Sequence, residues 1–183
     1  MVVVIVIAAA LLIVFWVVGL YNGLVRMRNA VRNAWSQIDV QLKRRHDLIP
    51  NLVEVVKDYM SYEQETLQKV IQARGAAIGA QGTAAVAAAE NQLTGALKSL
   101  FAVMEAYPDL KANENVKVLQ EELTSTENKI AFARQYYNDS VMRMNNACEL
   151  FPSSIIAGAF GFKLEVYYDV PESDKEPIKV DLR

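Results

Sequence analysis

Apolar positions in this chain follow three different rhythms, and each predicts a different kind of element. Residues 2–20, VVVIVIAAALLIVFWVVGL, are apolar without a break and carry no charge. At a rise of ~1.5 Å per residue such a helix is about 28 Å long, close to the ~30 Å hydrocarbon core of a bilayer. From Asn22 to about Arg74 the rhythm becomes helical. Leu24, Val31, Trp35, Ile38, Leu42, Ile49, Val53, Val56, Met60, Leu67 and Val70 recur at steps of three, four and seven. That spacing predicts a long helix packed on one face. Pro50 is its only breaker. It predicts a kink and a hinge near residues 46–50, because proline removes a backbone bond and crowds the preceding turn.

Residues 75–89, GAAIGAQGTAAVAAA, change character: Gly75, Gly79 and Gly82 punctuate an alanine-rich run, which reads as a loop sliding into a second helix. That helix extends to about Ala106, with Leu93, Leu97, Leu100 and Met104 on its face. The stretch YPDLKAN supplies a turn marked by Pro108 and Asn113. A third helix follows from about Glu114 to Glu149. Its seam, Val116, Leu119, Leu123, Thr126, Ile130, Ala133, Tyr137, Val141, Met144 and Cys148, alternates steps of three and four. This is close to a heptad and favours antiparallel, coiled-coil-like bundle packing. Phe151-Pro152 ends it. The third rhythm is strict alternation, in FKLEVYYDV (162–170) and IKVDL (178–182), around the turn-rich PESDKEP. Two such runs predict a hairpin or, equally, a loosely ordered tail, since a lone two-stranded hairpin is marginal in water.

The expected architecture is all-α: a single transmembrane helix (1–21), an elongated antiparallel helical bundle (22–152), and a short β-like or irregular C-terminal tail (153–183). Helix lengths add a further expectation. A first helix of about 52 residues past the membrane would span ~78 Å, while a second of about 24 residues returns only ~36 Å. The second helix then covers only the far half of the first, and the third climbs away again. Leu24, Val31, Trp35, Ile38 and Leu42 are left without a partner in the chain. An apolar stripe of that size would not normally stay in water. It is assigned to contacts between copies, with lipid headgroups as the alternative.

The flanks of the apolar run set the expected topology. Only Met1 precedes it, whereas a cleaved secretory signal begins with a basic region and has a shorter core. Trp16 and Tyr21 fit interfacial aromatics. Arg26, Arg28 and Arg32, then Lys43, Arg44 and Arg45, follow the span. Excess Lys and Arg on one side places the bulk of the chain in the cytoplasm, with the periplasmic side as the alternative. Arg26 and Arg28 join the two aromatics as membrane-interface residues.

Composition narrows the chemistry. The 183 residues carry a net charge of −2, with one His and one Cys. Nothing points to nucleic acid, which would call for a basic surface. Internal disulfides and cysteine-rich metal clusters are excluded, and the usual transition-metal and nucleophile–base sites lack parts. His46 has Asp47 beside it in sequence, but adjacent residues on a helix diverge rather than face each other. It therefore reads as a polar-face or kink histidine rather than a general base. Cys148 sits on the apolar seam, where a free cysteine behaves as a small hydrophobe. Glu63/Glu65 and Glu121/Glu122 lack metal-ligand spacing, and GAAIGAQG follows no strand, as a phosphate loop would. Catalytic residues, cofactors and metals are thus all expected to be absent. The asparagine load of the helices, Asn22, Asn29, Asn33, Asn51, Asn91, Asn128, Asn138, Asn145 and Asn146, suggests hydrogen bonds between helices, because asparagine is a mediocre helix former.

Several stretches carry a resemblance. YNGLVRMRNAVRNAWSQIDVQLKRRHDLIPNLVEVVKDYMSYE, ENQLTGALKSLFAVMEAYPDLKANENVKVLQEELTSTENKIAFARQYYN and FPSSIIAGAFGF together resemble the bacterial LemA family over about residues 21–162. RRHDLIPNLV and EAYPDLKAN are its most specific blocks. The resemblance implies an N-terminal membrane anchor, an elongated antiparallel helical bundle, and no established enzymatic activity. The function expected is that of a non-enzymatic membrane scaffold that self-associates as a homo-oligomer. The alternative is a tethered adaptor for another membrane protein, such as a protease or sensor.

Overall fold

A computed structural model describes residues 1–60 and 62–168. Among the described residues the regular elements are all helices, with no strand. The elements are α1 (Val2–Val56), α2 (Gln64–Gly79), α3 (Thr83–Met104), α4 (Pro108–Ala112), α5 (Glu114–Glu149) and α6 (Ser153–Ala159). The all-α expectation holds, and α5 keeps the expected bounds. The apolar N-terminal run opens α1, the one helix among the described residues long and apolar enough to cross a membrane. Residues 1–16 are exposed throughout. No protein covers them, and lipid is the surround that this composition suits.

The chain divides into two compact units, one joining residues 1–39 to 132–167 and the other built on 40–131. In the second unit the end of α1, α2, α3, α4 and the first half of α5 enclose Ile49, Leu52, Val56, Met60, Leu67, Val70, Leu93, Leu97, Leu100, Leu110 and Leu123. The long first helix of the sequence reading is two helices. α1 stops at Val56, and turns follow at 57–59, closed by Tyr59 and Met60 N–H groups donating to Val56 O. No glycine or proline marks this reversal. Met60, fully buried, keeps the four-residue step from Val56 through it, so the apolar rhythm runs on where the helix does not. The glycine-rich run differs as well: α2 continues through Gly75 to Gly79, and the break falls at Gly82, whose φ of 83° suits a residue without a Cβ. Pro108 opens α4 at a position where its missing N–H costs nothing. Asn113 caps α5, its Oδ1 accepting from Asn115 N at 3.0 Å and Val116 N at 3.4 Å.

The extra reversal changes the fate of the membrane-proximal stripe. Within the first unit α5 runs antiparallel to α1, since Tyr137 meets Trp35 while Cys148, eleven residues further on, meets Leu24. In the first unit Trp35 packs edge-on against Tyr137 with ring centroids 5.4 Å apart. Leu24 shares a cluster with Ala147, Cys148, Ile156 and Ala157. Leu24, Val31, Ile38 and Leu42 are 1, 4, 0 and 5 % exposed, and Trp35 is half-buried. The expectation that these five lack a partner within the chain is therefore corrected, and with it the ground for assigning them to contacts between copies. The expectation of a third helix that climbs away from residues 24–42 is corrected as well, because Cys148 near its end meets Leu24.

In the tail, residues 153–159 form a short helix, α6, and 162–168 carry no strand, as the irregular alternative expects; residues 169–183, with the run 178–182, lie outside the described residues. Backbone groups of the extended piece are satisfied by α5 side chains instead. Tyr137 OH donates to Val166 O at 2.8 Å, and Asn145 Nδ2 donates to Glu165 O at 3.0 Å. Asn145 Oδ1 accepts from Glu165 N at 2.8 Å. Asn145 thus imitates a strand neighbour. Asn22, Asn29, Asn33, Asn51, Asn128 and Asn146 lie exposed, outside the helix interfaces proposed for them.

Because Ile38 is fully enclosed in one chain, Ile38→Ala is expected to lower the unfolding free energy of the full chain by about 2–5 kcal/mol. Its oligomeric mass in detergent should stay unchanged. Denaturant titration and light scattering check the two together; a changed mass at parental stability would restore the stripe to an intermolecular role.

Candidate functional site

The apolar stripe of α1 is interrupted at one buried position. Arg45 lies three residues after Leu42 and four before Ile49, and is 2 % exposed. α3 carries a matching interruption, Glu90, between Ala87 and Leu93, at 0 %. The two meet: Arg45 Nη1 donates to Glu90 Oε2 at 3.2 Å. Arg45 Nη2 donates to Thr94 Oγ1 at 2.9 Å and stands 2.8 Å from Glu127 Oε2 on α5, an ion contact not aligned as a hydrogen bond. The other oxygen of Glu90 is taken by His46 Nε2 at 2.6 Å. A carboxylate only accepts, so the hydrogen of this bond sits on Nε2. Both Glu90 oxygens are thereby engaged. This is the condition under which a buried ion pair offsets the several kcal/mol of desolvation that each charge costs.

Pro50 belongs to the same cluster through the backbone. α1 continues unbroken past it to Val56, so the chain's reversal lies beyond the hinge expected there. Proline cannot donate to the carbonyl four residues earlier, which here is that of His46. That oxygen is not left bare, for Arg74 Nε of α2 donates to it at 2.7 Å. The proline creates an acceptor inside a helix, and the arginine uses it to tie α2 to α1. Arg45, His46, Arg74, Glu90, Thr94 and Glu127 together join α1, α2, α3 and α5. Thr126, fully buried, turns its hydroxyl back to Glu122 O at 2.7 Å.

The cluster's chemistry is that of a register lock. A histidine held by a buried carboxylate has the form of an oriented base. Here the carboxylate is shared with an arginine, and Asp47 on the next position is exposed. Among the described residues no three His, Cys, Asp or Glu side chains are placed to hold a metal. Cys148 lies half-buried beside Leu24, and burial, aided by Glu149 and Glu165, raises its thiol pKa, opposite to what a nucleophile needs. Arg44 and Arg45, read together as membrane-flanking charges, separate. Arg44 is exposed and paired with Glu122, while Arg45 is spent internally. Trp16 and Arg26 are exposed; Tyr21 is half-buried, 4.8 Å from the Phe160 ring, and Arg28 lies 5.1 Å over Phe162. Sequence reasoning missed Glu90, Thr94, Glu127 and Arg74. The signal for Glu90 was a lone charge in the apolar face of an alanine-rich helix.

A family model described as LemA family matches residues 34–182. The chain belongs to the LemA family. Protein LemA of Metamycoplasma hominis is 30 % identical over 157 residues, 84 % of this chain and 68 % of that protein. Magnetosome protein MamQ of Magnetospirillum gryphiswaldense is 25 % identical over 181 residues, 84 % of this chain and 66 % of the relative. Magnetosome protein MamQ 2 of Paramagnetospirillum magneticum is 24 % identical over 184 residues, covering 86 % and 68 %. In this LemA-family chain the RRHDLIPNLV block encodes the lock: Arg45, His46 and Pro50 are its contributions from α1.

Two outcomes follow from the geometry. Glu90→Ala leaves Arg45 buried and partly unpaired and should cost about 3–5 kcal/mol, whereas Arg45→Met with Glu90→Leu should recover most of that loss. Urea titration of the three proteins checks this, and equal stability of single and double variants would count against the lock. Arg74→Ala should cost about 1–3 kcal/mol in the parent but close to nothing alongside Pro50→Ala, where residue 50 again bonds to His46 O. Additive losses in that cycle would deny the link between Pro50 and Arg74.

Proposed function

We propose that the chain is a non-enzymatic, single-pass protein of the bacterial inner membrane whose cytoplasmic bundle acts by contact, as a tethered docking module for another membrane protein. One observation carries the reading: the most deeply buried polar group of charges, around Arg45 and Glu90, is consumed in holding four helices together. The hollow of about 510 Å³ bordered by Lys117, Gln120, Glu121, Thr124, Ser125 and Asn128 is flanked by a single helix, α5, and so is open surface rather than a cleft. Arg26, Arg28 and Arg32 after the apolar run support the cytoplasmic side. The names LemA and magnetosome protein MamQ designate no reaction, which accords with a role in contact rather than turnover.

Self-association is the second reading, and it now rests on a different surface. Phe132 and Tyr136, one turn apart on α5, are 72 % and 45 % exposed. In the docking reading the full chain is predominantly monomeric by native mass spectrometry in mild detergent. A photo-crosslinking residue at Phe132 in intact cells then joins it to a distinct membrane protein. Crosslinks formed only between copies, with an oligomeric mass, would replace docking by scaffold assembly.

A further inference from the structure

The segment 150–162, LFPSSIIAGAFGF, contains no charged residue, and its residues have different surroundings. Ile156 and Ala157 are buried against Leu24, in a cluster that also takes in Val17 and Leu20 of α1. Leu150, Phe151, Ile155 and Phe160 of the same segment are 62, 80, 62 and 58 % exposed. Single exposed apolar residues are ordinary, but four large ones within eleven residues form a patch that marks a contact surface. The partner is indicated by depth along α1. Val17 and Leu20 form the last turn of the apolar run, and the first charge after it is Arg26. An element packed at the level of residues 17–24 therefore stands where a bilayer's acyl region gives way to headgroups. The aromatic contacts agree, since Tyr21 lies 4.8 Å from the Phe160 ring and 5.8 Å from that of Phe162. Arg28 over Phe162 and the exposed Lys163 supply cations at the polar edge, as interfacial elements do.

We propose that the α5–α6 junction and α6 form a lipid-facing wedge, in which Leu150, Phe151, Ile155 and Phe160 enter the headgroup–acyl boundary beside the anchor. The occupant of the patch is the bilayer itself, continuous with the lipid around residues 2–20. The wedge gives the chain a second membrane contact, fixed to the first by the Leu24 cluster. It rests on α1 being the membrane anchor, and the test separates the two.

The full chain, with Cys148→Ala as background, is labelled with an environment-sensitive fluorophore at a cysteine replacing Phe151, Ile155, Phe132 or Phe15. Each variant is required to keep the parental helical circular dichroism. Proteins are reconstituted at one copy per nanodisc in phosphatidylethanolamine and phosphatidylglycerol containing a lipid spin-labelled at the fifth acyl carbon. Labels at 151 and 155 are expected to be quenched at least threefold more than the label at 132, which lies on the same unit but some nineteen residues back along α5. Strong quenching at 15 with only background quenching at 151 and 155 would overturn the wedge and leave the anchor. Absence of quenching at 15 would overturn the anchor and the wedge with it. Protection at 151 that appears only with two copies per disc would assign the patch to a second chain and overturn the lipid assignment.

Discussion

A helix that leaves the bilayer with an apolar stripe must find cover from its first turns in water, and this requirement organises the first unit. In that unit Leu24 lies against Ala147, Cys148, Ile156 and Ala157. Cover comes from the second half of α5, whose Ala133, Tyr137, Val141 and Met144 are buried in turn. Tyr137 packs against Trp35 and, together with Asn145, satisfies the backbone of 165–166.

The second unit solves a different problem, that of aligning four helices whose apolar faces are chemically alike. Leucine, valine and alanine seams tolerate sliding by a turn with small penalty; a buried ion pair does not. Placing Arg45 opposite Glu90, with both carboxylate oxygens engaged, makes every shifted register strand a charge. Pro50 and Arg74 add a tie of another kind, in which a defect in one helix becomes the attachment point of its neighbour. Such devices contribute specificity more than net stability.

Much of this was legible in the chain, for identifiable reasons. The anchor and α5 could be read because their periodicity is continuous and their ends are marked by Arg26, Asn113 and Pro152. The family could be read from blocks of sequence without any geometry. The turn after Val56 could not, because Met60 and Leu67 preserve the helical step across a reversal that lacks glycine and proline. That single miss inverted the direction of the last long helix and turned an internal face into an apparent external one. The lock was half visible. Arg45 and Glu90 each stand on an apolar stripe, but they are 45 residues apart, and the neighbouring Lys43, Arg44 and Asp47 make Arg45 look like one charge among several. His46 was weighed against its helical neighbours alone, whereas its partner comes from another helix.

The pairing of α1 with α5 also has a temporal side. Residues 24–38 are made before their cover at 133–149, which follows about a hundred residues later. At a synthesis rate of ~5–20 residues per second, the stripe stays open for on the order of 5–20 s while the anchor is already available to the membrane. Closure requires contacts across nearly the whole polypeptide, which is entropically slow compared with neighbouring-helix pairing. Until residues 133–149 are made, the apolar face of residues 24–38 lacks its cover within the chain, directly beside the apolar run.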